Sequence, residues 1–272
     1  MLHRNWPVIR WFMDITNLIN IEKFMAGVPI EIPAKTEGEE RILCTVYPVT
    51  LRQIATVGAK NFYSYLNVFT LNKEDVDEYF ANEQMDMDLT PFQFLLVMTQ
   101  MDSQYYITVQ EAFKLFLHED NFTLLRQNEA IVLGDINDNR VIDSEMFEVI
   151  KKIVEASNIL DTESSEARMD NPSDAKAAQI IKKLKEGKKM REKAKGNSSL
   201  SFSDLVASLA AGGNGLNILN VWDLPYYAFN DQFKRMQMRE EYENTYRSLL
   251  AGADPKKVKL RYWVDTIQDK KD

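Results

Sequence analysis

Apolar and polar positions follow two different periods over the first 160 residues of the chain. Residues 27–33 and 41–48 are short β-type runs on either side of a polar loop, so they predict a β-hairpin. Three further β-type runs, FTLLRQ, AIVLGD and RVID, are separated by polar turns. Elsewhere apolar residues recur every three or four positions, which is typical of helices. The pattern predicts an α+β domain over residues 1–160.

Capping residues mark where several of these helices begin. Thr50 precedes an apolar pattern that predicts one helix through residue 69. Thr90 stands before Pro91 and a nearly all-apolar segment, which predicts a buried central helix. Thr108 and Glu111 have the spacing of a capping box, which predicts a helix over 109–120.

The character of the sequence changes after residue 160. Residues 161–175 are polar without an apolar face, and residues 182–195 hold eight Lys or Arg against two Glu. We predict a polar and basic linker, partly helical, over 161–200. A short amphipathic run and a long helix opened by Asp223 and Pro225 then predict a small all-helical C-terminal unit over 201–272.

Charge and cysteine content narrow the function classes. The net charge of −8 disfavours general affinity for nucleic acid, since phosphates would be repelled. One cysteine excludes an intramolecular disulfide and fits a reducing cytosol. No stretch has the roughly 20 apolar residues of a membrane helix. The apolar N-terminus is interrupted by Arg4 and Arg10, so a helix that buries Trp11 and Phe12 is favoured over an interfacial membrane helix.

Residues 135–146 resemble a calcium loop at four positions. Asp135, Asn137, Asn139 and Asp143 occupy ligand positions 1, 3, 5 and 9 of the EF-hand pattern. Position 6 is Arg140 instead of glycine, the closing position 12 is a methionine, and a β-type run precedes the loop. A turn between two strands accounts for the residues better, so we expect no metal.

Catalytic signatures are sparse. A nucleophile–base system would have to use one of two histidines, His3 or His118, and His118 fits a helix end, where the dipole favours a cation. Zinc-ligand spacing is missing, and the glycine-rich stretch at 210–217 has no GK[ST] sequence of a phosphate loop. We therefore predict a protein that is not an enzyme and takes no cofactor.

The basic run offers one alternative function. Its candidate contacts are Lys182, Lys183, Lys188 and Lys189. They could bind nucleic acid, or the acidic remainder of this chain or of a partner. The run has no interleaved aromatic residues for base stacking, and a solvated linker is the simpler interpretation.

Two stretches carry a family resemblance. YPVTLRQIATVGAKNFYSYLNVFTLNKEDV (residues 47–76) resembles the N-terminal region of proteins of tailed phages and prophages of Gram-positive bacteria. Residues 201–254, which begin SFSDLVASLAAGGNGLN, resemble their C-terminal region, and the basic linker between the two stretches matches as well. The resemblance is to tail-assembly proteins, which implies a tail assembly chaperone. Such chaperones coat the tape-measure protein and help to recruit tube subunits.

The resemblance implies binding to the tape-measure protein, and possibly to tail tube protein, in the host cytoplasm, with oligomers possible. Because methionines and aromatic residues adapt well to apolar partners, we expect the C-terminal unit to make the contact. The candidate partner-contact residues are Trp222, Tyr226, Tyr227, Phe229, Phe233 and Met236. The alternative for Phe229 and Phe233 is a role in the core. The alternatives for the whole chain are a structural virion component, such as a connector or tail-completion protein, and a packaging factor that binds nucleic acid.

Overall fold

The computed structural model describes residues 18–34, 41–85, 87–125, 129–138, 140–158, 201–212, 215–254, 260 and 262–264. The chain divides into two compact units. The first unit comprises residues 1–159 and 223–229, and the second comprises residues 160–222 and 230–272. The predicted linker 161–200 and the predicted N-terminal helix lie outside the described residues.

The described part of the first unit contains α1 (Ile21–Ala26), β1 (Ile30–Pro33), β2 (Ile42–Val46), α2 (Leu51–Val57), α3 (Ala59–Thr70), α4 (Lys73–Asn82), α5 (Pro91–Met101), α6 (Ser103–Leu117), β3 (Phe122–Leu125), β4 (Ala130–Leu133), β5 (Val141–Ile142) and α7 (Ser144–Asn158). The second unit contains α8 (Phe202–Ala211) and most of α9 (Tyr226–Leu250), whose first turn belongs to the first unit. Helices and strands are thus both present, and the predicted α+β class is confirmed.

The strands form two small antiparallel sheets. β1 pairs with β2, with Ile30 opposite Val46, which confirms the predicted hairpin. The second sheet has the order β3-β4-β5, and a short 3₁₀ turn at 136–138 joins β4 to β5. All four residues of β4 are buried, as expected of a central strand.

Two predicted helix starts are confirmed by side-chain hydrogen bonds. The hydroxyl of Thr50 accepts from the backbone N–H of Gln53, and the same capping box joins Thr90 to Gln93. The helix that follows Thr90 is largely buried, although Met101 at its end is 75% exposed.

Two other predictions about the helices were wrong. The helix after Thr50 is not continuous, because Gly58 has a φ of 86° and a ψ of 137°, which separates α2 from α3. The capping box at Thr108 does not form, since α6 begins at Ser103 with Asp102 as its N-cap. The Thr108 hydroxyl instead donates to the carbonyl of Gln104 within the helix.

Aromatic rings fill the core of the first unit between α3, α6 and α7. Phe69 of α3 lies 5.8 Å from Phe113, 5.5 Å from Phe116 and 6.0 Å from Phe147, measured between ring centroids. All four rings are almost completely buried. Each such phenylalanine contributes about 1.5–3 kcal/mol through burial, so the four rings together make a substantial contribution to the stability of the unit.

Few apolar side chains are buried in the described part of the second unit. Its buried apolar side chains, among the described residues, are Val206, Leu209 and Val221. The side chain of Ser201 caps α8, and Asp204 completes the capping box. The long predicted helix begins directly after Pro225 and ends two residues before Gly252, which has a φ of 98°.

Candidate functional site

A seven-residue stretch, Asp223–Phe229, brings three of the predicted contact residues into the first unit. We call it the docking segment. Pro225 forms an antiparallel β-bridge with Thr50. The N–H of Leu51 donates to the carbonyl of Leu224 at 3.0 Å, and the N–H of Tyr226 donates to the carbonyl of Val49 at 2.7 Å. The segment is therefore held through its backbone at an isolated β-bridge, and the helix α9 begins at the next residue, Tyr226.

Aromatic contacts fix the side chains of the docking segment. Tyr226 meets the ring of Phe62 edge-on, with centroids 5.1 Å apart, and its hydroxyl lies 3.1 Å from that of Tyr63. The ring of Tyr227 lies 5.8 Å from that of Phe24, and Phe229 is 2% exposed. These contacts make the docking segment part of the packed interior of the first unit.

An ion pair stands at the start of the docking segment. The Arg52 guanidinium donates to the Asp223 carboxylate at distances of 3.0 Å from Nε and 2.7 Å from Nη2. Their side chains are 60% and 66% exposed, so the pair contributes at most about 1 kcal/mol.

The remaining predicted contact residues, Trp222, Phe233 and Met236, belong to the second unit and are partly buried. A Cβ built on Gly212 would lie 3.2 Å from the Met236 sulfur, so this methionine packs against the end of α8. The six predicted contact residues are thus divided between the two units. Their role as partner contacts stays a prediction.

A more exposed aromatic surface lies in the second unit, on the distal part of α9 and on residues 262–263. The Tyr242 ring stacks on Tyr246 with centroids 6.2 Å apart and meets Tyr262 edge-on at 5.6 Å. Trp263 follows at 6.3 Å from Tyr262. We call these four residues the aromatic cluster. Its members Tyr246, Tyr262 and Trp263 are 47%, 53% and 37% exposed.

Charged and apolar side chains also lie along the distal part of α9 and at residue 264. Glu243 accepts from Arg239 at 3.1 Å and pairs with Arg247 at 3.5 Å, which places charges of both signs along α9. Leu250 is 72% exposed and Val264 is 53% exposed. Large apolar side chains with a charged border are typical of protein-binding surfaces. None of the four residues of the aromatic cluster was among the predicted partner contacts.

The calcium-like loop is a turn between strands, as predicted. The Asp135 carboxylate accepts hydrogen bonds from the backbone N–H and the side-chain amide of Asn137, at 2.8 Å and 2.7 Å. Arg140 forms a bidentate ion pair with Glu119. Asn139 is outside the described residues. Across the described part of the chain, no group of three or more His, Cys, Asp or Glu side chains is placed to hold a metal ion.

The single cysteine and the described histidine have distinct surroundings. Cys44 is 2% exposed, and burial, together with the nearby Glu119 carboxylate, raises the pKa of its thiol to about 12. The His118 ring stacks on Tyr47 with centroids 3.7 Å apart. Partial burial lowers the pKa of His118, although Asp120 opposes the change, so the expectation that the helix end would favour its charged form was wrong.

Lys182, Lys183, Lys188 and Lys189 all lie outside the described residues, so the nucleic-acid hypothesis has no structural description here. Among the helices that the structure describes, none is long and apolar enough to cross a bilayer.

Residues 191–268 match the family model described as the YomV second domain. YomV is a family of phage-encoded and prophage proteins, so the match indicates a phage-related protein. The matched region covers less than a third of the chain and includes both the docking segment and the aromatic cluster. No curated protein and no solved structure matches the chain.

Proposed function

We propose that this protein is a non-catalytic phage tail-assembly factor, and more narrowly a tail assembly chaperone. It binds the tape-measure protein and helps tube subunits to assemble around it. The observation that carries the proposal is the aromatic cluster, which is exposed within the region that matches a phage-related domain. The resemblance of residues 47–76 and 201–254 to tail-assembly proteins supports a role in tail assembly in particular.

The physical task of such a chaperone matches the chemistry of this surface. A tape measure is a long helical chain whose apolar stripes would aggregate before a tube encloses them. Tyrosine and tryptophan offer large rigid contact areas with a polar end, so they anchor apolar partners while remaining compatible with water. The mixed charges of Arg239, Glu243 and Arg247 keep the border of the surface polar.

In this proposal the chain does no covalent chemistry on its partner. The Cys44 thiol is buried and its pKa is raised to about 12, which keeps it protonated and unreactive at neutral pH. The protein acts in the host cytoplasm without a membrane or nucleic-acid partner, and it leaves before the tail is complete.

Co-expression with the tape-measure protein of the same phage tests the proposal. We expect soluble tape measure to appear with the wild-type chain. Changing Tyr246, Tyr262 and Trp263 together to Ser should reduce the amount of soluble tape-measure protein roughly tenfold, because aromatic anchors dominate binding energy. The matched control changes Met101 and Ile107 of the first unit to Ser, since these side chains are 75% and 49% exposed and lie outside the aromatic cluster.

Equal tape-measure solubility with and without the chain would refute the chaperone function. An equal loss of soluble tape measure in the control variant would show that nonspecific hydrophobic contacts, rather than the aromatic cluster, keep the partner soluble. Mass spectrometry of purified virions separates the structural alternative. A chaperone is missing from finished particles, whereas a connector or tail-completion protein is retained.

A further inference from the structure

The docking segment meets the first unit as a peptide meets its receptor. The chain enters the first unit at Asp223 and leaves it after Phe229, and the flanking residues on both sides belong to the other unit. The ion pair at its start joins residues 171 positions apart in sequence. The two residues of this pair are therefore brought together by the fold of the first unit and not by closeness in the sequence.

We define the receptor surface by the residues that touch the segment. They are Phe24, Gly27, Val49–Arg52, Phe62 and Tyr63. They come from α1 and the glycine that follows it, from α2 and the two residues just before it, and from α3.

Each part of the docking segment has its own complement on the receptor surface. The Asp223 carboxylate pairs with Arg52, and the backbone on either side of Pro225 makes two hydrogen bonds. A Cβ on Gly27 would lie 3.0 Å from the Pro225 ring, so a side chain at this position, where φ is 70°, would be strained and would crowd the proline. The two main-chain bonds beside the isolated bridge contribute affinity, and the side-chain complements contribute specificity.

The two tyrosines complete the recognition pattern. Tyr226 places its ring on Phe62 and its hydroxyl on that of Tyr63, while Tyr227 reaches the buried ring of Phe24. The ligand pattern is thus an acidic residue, a proline two positions later and two aromatic residues directly after it. A peptide needs no covalent link to the first unit to present these groups.

We propose that the receptor surface is a peptide-recognition site, with the segment Asp223–Phe229 of this chain as its resident ligand. It takes an acidic–x–Pro–aromatic–aromatic peptide whose residues after the proline form a helical turn, as Tyr226–Phe229 do here, and it takes the same segment when that segment is supplied on a separate molecule. This inference does not depend on the tail-assembly proposal.

A fluorescein-labelled peptide of residues 220–230 tests the site against two forms of the full chain. Wild-type protein has its site occupied, whereas a variant with both Tyr226→Ser and Tyr227→Ser has a weakened resident ligand. We expect the peptide to bind the variant at least tenfold more tightly than the wild type, measured by fluorescence polarisation. A control peptide with serine at the positions of Tyr226 and Tyr227 should bind neither form.

The buried Cys44 thiol reports whether each form is folded, because it is the single cysteine of the chain and is 2% exposed. If the thiol is protected in both forms and the peptide binds neither, or binds both equally, the proposal is overturned. A variant whose Cys44 thiol reacts rapidly has an unfolded first unit. In that case the cleavage experiment that follows tests the proposal.

That measurement uses the wild-type fold. A protease site inserted between residues 165 and 175 is cut after the full chain has folded, and the two pieces are run on gel filtration. We expect them to co-elute and to separate when excess peptide 220–230 is added. Pieces that separate without peptide, or that stay together in its presence, contradict the proposal.

A charge exchange tests the register of the ligand. Arg52→Asp, made in the Tyr226→Ser/Tyr227→Ser chain, should weaken peptide binding roughly two- to fivefold, as expected for an exposed ion pair. A peptide with Asp223→Arg should recover that loss in this receptor and bind the unaltered receptor less well. Failure of the recovery would show that the peptide does not bind in the position seen in the structure.

Discussion

The two units use their aromatic residues in opposite ways. In the first unit the rings of Phe62, Phe69, Phe113, Phe116 and Phe147 are almost completely buried against one another. In the second unit the aromatic cluster keeps a third to a half of the area of three of its rings in water. Burial stabilises a fold, whereas exposed rings preserve binding energy for a partner. Among the described residues, the first unit therefore buries these aromatic rings, whereas the aromatic cluster of the second unit stays accessible to water.

The largest effect should come from the aromatic core of the first unit. Phe69→Ala removes a ring that contacts three other phenylalanines, and the cavity should cost about 3–5 kcal/mol of unfolding free energy. Urea unfolding measures this loss, with the reaction of the Cys44 thiol as the reporter of the first unit.

The matched change in the second unit is Tyr246→Ala. Its ring is 47% exposed and has one neighbouring ring in the described structure, Tyr242, so the loss should stay below about 1 kcal/mol. Similar losses in the two variants would remove the proposed difference between the units.

The stability losses of two Gly→Ala substitutions, one in each unit, compare the backbones of the two units. Gly134 has a φ of 66°, and a Cβ there would lie 2.5 Å from the Arg140 guanidinium that pairs with Glu119. Gly134→Ala should therefore cost about 2–3 kcal/mol, from left-handed strain and from disturbance of this partly buried ion pair.

Gly215 of the second unit has a φ of 82° with open space around it, so Gly215→Ala should cost only the strain, about 1–2 kcal/mol. Thermal unfolding followed by circular dichroism measures both variants. A loss in Gly215→Ala equal to that in Gly134→Ala would show that the contact with Arg140 has no energetic weight.

The smallest effect concerns pH and His118. The pKa of this imidazole lies below 6.5 in the folded state, mainly because of partial burial, so protonation favours the unfolded chain. The wild type should lose stability relative to His118→Asn as the pH falls from 7.5 through 6.5 toward the lowered pKa. Asparagine tolerates the left-handed backbone at this position, where φ is 56°.

Urea midpoints of the two proteins at pH 7.5 and pH 5.5 measure this difference. The carboxylates common to both cancel in the comparison. A difference that grows in favour of the wild type at low pH would mean that the folded state binds the proton more tightly than the unfolded chain.

Local patterns were sufficient to predict most elements of the first unit. The hairpin of β1 and β2 follows from alternating apolar residues around a polar loop, and the caps at Thr50 and Thr90 follow from side chains that bond within one turn. The capping box at Thr108 failed because Asp102 offered a carboxylate one and a half turns earlier. Where two local signals compete, tertiary packing selects between them.

Sequence by itself determined the α+β class, the turn in place of a calcium loop, and the aromatic character of α9, because each depends on residues close together in the chain. Only the tertiary structure decided where the aromatic residues go. It placed Tyr226 and Tyr227 against Phe62 and Phe24 in the first unit, and it assembled the exposed cluster with Tyr262 and Trp263. Contacts between residues more than 150 positions apart cannot be predicted from local periodicity. The same aromatic side chain is compatible with a buried core and with a binding surface, so its residue type does not distinguish the two.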